Sequence, residues 1–347
     1  MMTLDPLTAK KIKRFKSIKR GYWSFILLSV LLLFSVVAEL FINSKALVVR
    51  YQGEYSFPIF TDVRRGDEFG LGYAAEANYR ELSAKLSEQG NGDFVIMPLV
   101  PWNPYEQDFS GDYPPVAPDF AAEHYLGTDV IGRDILARLV YGFRIAMGFA
   151  LITMSISYAI GTVVGCAMGF WGGKFDLIVQ RLIEIWSMVP FLYVIMILVS
   201  IIQPTFMLFV FINVLFGWMG MTWYMRTMTY KESAREYVLA ARAIGASTSR
   251  ILLKHILPNT MVMIVTLAPF TIAANITALT ALDYLGLGLM PPTPSWGELL
   301  QQGKSNLDSP WIATSVVTAI VSVLVMVTFI GEAVRAAFDP KKFTRYS

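Results

Sequence analysis

The 347 residues carry 55% hydrophobic side chains, only 16% charged ones and a mean hydropathy of +0.51. That is too apolar for an ordinary soluble domain and marks a polytopic membrane protein. A net charge of +3 argues against nucleic acid, because the basic residues cluster beside apolar runs instead of along one face, and the single cysteine, Cys166, permits no intrachain disulfide and reads as a small core residue.

The first twenty residues form a basic tail with seven Lys/Arg against one Asp. Tyr22 to about Ile42 follows as an apolar run of roughly the 20 residues that cross a hydrocarbon core. It is long for a signal-peptide core, and Ala38-Glu39-Leu40 is a poor cleavage site, so a first span with a cytoplasmic tail is expected. Residues 43–141 differ in kind, with fifteen acids against eight bases, Pro/Gly-rich stretches such as Pro101-Trp102-Asn103-Pro104 and Asp112-Tyr113-Pro114-Pro115, and short alternating runs at Tyr51–Phe60 and Phe94–Val100. This predicts a small, partly β extracytoplasmic insert with one helix near Ala75–Glu88. Nothing in it forms a metal or nucleophile cluster; His124 stands alone and reads as an inert surface residue.

The insert closes on a dense motif, HYLGTDVIGRDILARLVYGFRIAM, from His124 to Met147. Thr128 or Asp129 can cap a helix, Gly132 suits a turn, and Arg133, Asp134, Arg138 and Arg144 can pair along an amphipathic helix lying at the membrane interface. The second span, Ile145–Phe170, contains Gly161, Gly165 and Gly169 at four-residue spacing, so this face is expected to pack on another helix and not on lipid. Trp171-Gly172-Gly173 is a tight turn toward a third span, about Leu182–Ile202, with Pro190 inside it and Glu184 expected to meet Arg181 one turn back. Gln203-Pro204 makes a short outer turn, and the fourth span runs from Met207 to about Met225, with Trp218 and Trp223 toward the inner interface.

Lys231 to Asn259 is the segment around which the chain is organised, with six Lys/Arg between Arg226 and Lys254 against two Glu. Tyr237, Ala240, Ala241 and Ile244 fall at i, i+3, i+4 and i+7 and make one apolar stripe on a short helix that Gly245 ends. Ser247 can cap a second helical segment, Arg250–Leu257, and Pro258 suits the first turn of the apolar span beyond it. The narrow Ala/Ala/Gly face lets another protein's groove approach the backbone closely. A fifth span, Thr260 to about Leu282, contains Pro269 and Asn275, which suit a pathway-lining helix and a packed core about equally. Trp311–Ile330 is the sixth span, with Glu332 and Arg335 just beyond it.

These residues carry a resemblance. Ala240-Ala241 and Gly245, followed thirteen residues later by Pro258, resemble the "EAA" loop of ATP-binding-cassette importer permeases, with Glu236 offset and Leu239 at the position of the general motif's Glu. Leu126-Gly127-Thr128-Asp129, Gly132-Arg133-Asp134, Tyr141-Gly142-x-Arg144, Asp283-Tyr284-Leu285-Gly286-Leu287-Gly288, Pro294-Ser295-Trp296-Gly297-Glu298 and the closing Asp339-Pro340-Lys341-Lys342 are similar to the dipeptide/oligopeptide permease family. The long insert beginning VVRYQGEYSFPIF resembles the YejE-type branch for microcin C and peptide uptake. The resemblance implies a type I ABC importer permease fold: tail 1–21, first span 22–42, insert and interfacial helix 43–141, a five-helix core 142–335 with coupling loop 227–258, and tail 336–347. It implies ATPase coupling through Glu236, Tyr237, Ala240, Ala241, Ile244, Gly245 and Pro258. It also implies a second homologous permease, a cytoplasmic ABC ATPase holding ATP and Mg, and an extracytoplasmic peptide-binding protein. No cofactor, metal or catalytic residue is expected in this chain, which would lie in a bacterial inner membrane.

With six spans and both termini inside, the cytoplasmic segments hold seven, two, six and four Lys/Arg, whereas the last outer loop holds only Lys304. Two motifs mislead. Gly303-Lys304-Ser305 lacks the upstream glycine of a phosphate loop, which is Glu298 here, and Gly286-x-Gly288 lacks the third glycine of a dinucleotide loop. The chain is not expected to be an enzyme. An ion-gradient-driven secondary transporter is the alternative, disfavoured because Glu39, Glu184 and Glu332 all lie near span ends; a scaffolding protein would leave the Tyr237–Gly245 helix unexplained.

Overall fold

The computed structural model describes residues 6–338 apart from 62, 110 and 112. Expectations for Met1–Asp5, Asp112 and the Asp339–Lys342 ending lie outside the described residues. In chain order the elements are α1 (Pro6–Ser17), α2 (Lys19–Val36), β1 (Val48–Tyr51), β2 (Glu54–Ser56), α3 (Tyr79–Gln89), β3 (Phe94–Ile96), α4 (Ile135–Trp171), α5 (Gly173–Ser187), α6 (Phe191–Ile201) and α7 (Phe206–Ser233). After these come α8 (Glu236–Ala243), α9 (Thr248–Arg250), α10 (Leu257–Tyr284), α11 (Trp296–Ser305) and α12 (Pro310–Phe338). Among the described residues five helical stretches are long and apolar enough to cross a membrane, and α5 with α6, bent by 63°, makes a sixth.

Several boundaries differ from those expected. The first span ends at Val36, not near Ile42, because a 3-10 turn at Ala38–Leu40 hands the chain to the insert, where Ala38 and Ile42 bury against Trp102 and Tyr141. The second span starts at Ile135, ten residues before Ile145, and its 37 residues rise about 55 Å, well beyond a hydrocarbon core. The third span starts at Gly173 and breaks before Pro190, whose extended backbone and missing N–H interrupt the hydrogen-bond ladder. The fourth runs past Arg226 to Ser233, tethered there by the Arg226 guanidinium, which grips Asp176 of α5 at 2.5 and 2.6 Å. Glu184 pairs with Arg181 at 2.5 Å, as expected.

In the insert, β1 is the central strand of an antiparallel sheet in the order β2-β1-β3, with Arg50 opposite both Tyr55 and Phe94. Val49 on one face packs with Phe69, Leu82 and Leu86, so α3 closes a small core of its own. That helix begins at Tyr79, four residues after Ala75, because the Asn78 side chain accepts from the N–H groups of Arg80 and Glu81.

The segment from His124 to Arg138 is not an interfacial amphipathic helix. Arg133, Arg138 and Asp129 are buried, and the two guanidiniums share Glu298, brought by α11 from 160 residues away. Arg133 bridges Asp129 and Glu298 at 2.6 Å each. Burial alone would lower the Arg133 pKa, but the two carboxylates outweigh it and hold the guanidinium above its usual value. The cap of α4 is Asp134, which accepts from Ala137 N–H at 2.7 Å, and not Thr128 or Asp129. Arg144 pairs with Glu39, in the 3-10 turn that follows α2, 2.7 Å away.

His124 is neither alone nor at the surface. It is 1% exposed, stacks on Trp102 with centroids 4.2 Å apart, and sets Nδ1 2.9 Å from Asp134 and Nε2 3.4 Å from Asp108. Trp102 and Asp108 fold back from earlier in the insert and Asp134 comes from the start of α4, so no local pattern marks them.

Gly161, Gly165 and Gly169 lie against α7. A Cβ at these positions would stand 2.6, 2.5 and 2.5 Å from the carbonyl oxygens of Trp218, Thr222 and Arg226. Both series climb by four residues in the same sense, so α4 and α7 run parallel with backbones in contact, as small residues permit in lipid. Replacing Gly165 by Leu is expected to lower the thermal stability of the detergent-solubilised chain by about 1–3 kcal/mol, whereas Leu at Gly148, where a Cβ meets nothing within 4 Å, leaves it nearly unchanged. Glu298→Gln, which strips two buried guanidiniums of a shared carboxylate, is expected to cost about 3–5 kcal/mol, read as a lowered unfolding midpoint.

Candidate functional site

The exposed end of α7, the short helix α8 and the start of α10 form one platform. The chain leaves α7 at Ser233, and Tyr237 in the first turn of α8 then ties the platform together. Its hydroxyl donates to the Glu232 carboxylate at 2.7 Å, accepts from the Asn259 amide at 3.0 Å and lies 3.4 Å from the His255 carbonyl. Burial and the Glu232 carboxylate raise its pKa, so it stays a neutral donor.

The inward side of α8 is Val238 and Ala241, which bury against Ile251, Ile256 and the partly buried Phe170 at the end of α4. The guanidinium of Arg242 lies 4.5 Å over the Phe170 ring. The helix ends in a closed double hydrogen bond: Ala246 N–H donates to Ala241 C=O and Gly245 N–H to Arg242 C=O, each at 3.0 Å. Gly245 sits at φ +78°, where only glycine is free of strain.

The expected stripe is therefore split. Ala241 faces inward, while Glu236, Tyr237, Ala240, Ile244 and Gly245 are exposed, Ile244 at 85%. Val238, which lies outside the expected stripe, takes the inward place; Val238 and Ala241 are themselves an i, i+3 pair, a shorter match to the same helical period. The outward face is Leu239, Ala240, Ala243 and Ile244, apolar and edged by Arg235 and Arg242.

Beyond Gly245, Ser247 holds the cap position of α9 without a side-chain hydrogen bond, and Ile251–Ile256 winds as π-helix before α10. The expected α-helix over Arg250–Leu257 is thus widened by one residue per turn, and Pro258 lies in the first turn of α10. Pro269 borders an apolar crevice of about 180 Å³ between α2, α4, α10 and α12. Asn275 donates to the Ala150 carbonyl of α4 at 3.2 Å. Pro269 is buried and Asn275 half-buried, so both positions meet other helices of this chain.

Residues 161–344 match the family of binding-protein-dependent transport system inner membrane components. Over 342 residues the sequence is 40% identical to the inner membrane ABC transporter permease protein YejE of Escherichia coli K12, covering 99% of each chain. The chain belongs to this permease family. It is also 36% identical to the peptidoglycan transport system permease protein YejE of Agrobacterium fabrum, over 98% of this chain and 95% of that one. The oligopeptide transport system permease protein OppC of Haemophilus influenzae is 33% identical over 71% of this chain and 80% of its own. Membership makes the protein a multi-pass inner-membrane ABC importer permease with a small β insert, and not a secondary transporter.

Tyr237→Phe removes the hydroxyl that joins α7, α8 and α10. The expected loss is about 1 kcal/mol, confined to this platform; hydrogen exchange of the α8 amides should quicken several-fold while the global unfolding midpoint stays within experimental scatter.

Proposed function

We propose that this chain is one of two homologous permease subunits in an ABC importer for peptides or peptide-like compounds, of the oligopeptide and microcin C type. The observation that carries the proposal is α8: a helix whose inner side is fixed to both flanking spans and whose outer side is apolar, small and unpartnered in this chain. Such a face fits a groove on a cytoplasmic ATPase, which binds ATP and Mg. Glu236, Tyr237, Ala240, Ile244 and Gly245 border the contact, while Ala241 and Pro258 shape the elements beneath it.

Closure of the ATPase pair pushes α8, and because Tyr237 links Glu232 to Asn259, α7 and α10 move with it. The bundle then rocks against the second permease between inward- and outward-open states, with different substrate affinity in the two. A peptide-binding protein delivers substrate on the side of the insert, and both termini lie in the cytoplasm. The peptide class is supported by the names of the YejE and OppC relatives, and the orientation by the Lys/Arg distribution.

Ala240→Trp adds bulk to the contact face with no change in backbone strain, and Gly245→Trp adds both. A clash of about 1.4 kcal/mol already weakens association about tenfold. Pull-down from native membranes should recover a second permease and an ATPase with the native chain. Both variants should retain the second permease but lose at least that much ATPase and peptide uptake. Full ATPase recovery and undiminished uptake with Ala240→Trp would remove α8 as the coupling site.

A further inference from the structure

We propose that the end of the bundle carrying α1 holds a binding site for an anionic phospholipid, between α2, α10 and α12. Two cavities lie in line there. The outer one, about 650 Å³, is bordered by Arg20, Glu332, Arg335 and Phe338, with Val262 and Thr266 of α10 as its far wall. Further along the same three helices, with α4 as a fourth wall, lies the apolar crevice of about 180 Å³, lined by Phe25, Leu28, Met147, Pro269, Ile272 and Val327 among others. The two share no lining residue, and Gly21 against Ala333 and Gly331 against Phe270 stand between them, but a charged niche at the end of the helices with a greasy one deeper orders polar and apolar surface as an amphiphile does.

The depth of the site identifies the ligand. The 18 residues of α2 rise about 27 Å, nearly the whole of a hydrocarbon core of about 30 Å. Arg20, second in that helix, therefore stands where the hydrocarbon gives way to lipid phosphates. Charge agrees with depth. Glu332 is neutralised by Arg20 at 2.8 Å, and Arg335, one turn on, has no acidic side chain within 4.0 Å among the described residues. Lys11 lies 4.6 Å over the ring of Phe338, at the cavity's rim.

The basic helix α1 supplies the approach. The chain bends at Ile18, whose ψ of 83° is not helical, so that Phe15 reaches Phe25 with ring centroids 5.9 Å apart. In a straight helix these residues would be about 15 Å apart along the axis. The bend lays α1 across the end of the bundle, with its lysines at headgroup level. Arginine forks bind phosphate oxygens in pairs, and basic niches between spans recognise anionic headgroups. A free phosphate would use the outer cavity only; a phospholipid uses both, with an acyl chain in the crevice.

The test is native mass spectrometry of the chain, with the subunits that accompany it, extracted in mild detergent and delipidated, then titrated with phosphatidylglycerol, phosphatidylcholine or inorganic phosphate. One phosphatidylglycerol per copy should be retained and phosphatidylcholine should not. Arg335→Gln should weaken retention about fivefold, the effect of one basic group near the surface. Arg335→Lys should restore most of it, and Lys174→Gln, at the same membrane face but away from the cavity, should change nothing. Arg335 is exposed, so its loss leaves the fold intact. Equal retention by Arg335→Gln, an equal effect of Lys174→Gln, indifference to headgroup charge, or displacement by millimolar inorganic phosphate would each overturn the proposal.

Discussion

The backbone contact between α4 and α7 is the constraint on which the rest of this bundle depends. Lipid gives two apolar helices no hydrophobic reason to meet, so close approach has to come from shape and from backbone groups. Three glycines on α4, each aligned with a carbonyl of α7, supply that shape over two turns. The two helices run parallel, so the chain must travel back between them, and it does so through the broken span of α5 and α6. The ends of α4 and α7 are thereby held side by side, which puts Phe170 and Arg226 next to the platform that carries α8.

At the opposite end the insert and α11 grip the overhang of α4. Asp129, Arg133, Arg138 and Glu298 form one nearly dry network, and Trp296 adds a hydrogen bond from its indole N–H to the Leu139 carbonyl at 3.0 Å. Two positive and two negative charges balance there, so the network stands as a unit; it fixes register between segments far apart in sequence more than it adds stability. His124 between Asp108 and Asp134 joins the insert to the cap of the same helix. The long helix α4 is thus clamped outside the membrane and packed within it. A movement imposed at its α8 end is resisted along its whole length or carried through it.

The π-helical turn at Ile251–Ile256 lies within the platform, immediately before α10. Tyr237 brackets it, with its hydroxyl 3.4 Å from the His255 carbonyl inside the turn and 3.0 Å from the Asn259 amide just beyond.

The sequence by itself determined the number of apolar spans, the small β insert, the tight turn at Gly172-Gly173, the end of α8 at Gly245 and the close-packing face of α4. Each of these is a local matter: a run long enough to cross lipid, a residue that tolerates positive φ, a spacing of four on one helix. Only the tertiary structure decided which stripe of α8 turns inward. Val238–Ala241 and Tyr237–Ala240–Ile244 have the same periodicity, and the position of Ile251, Ile256 and Phe170 selects between them. It also decided that the charges from Asp129 to Arg138 are buried instead of interfacial, since Glu298 comes from another loop, and that His124 is enclosed, since Trp102 and Asp108 fold over it. A period along one helix shows that a face exists; what that face meets depends on segments that the chain brings together only by folding.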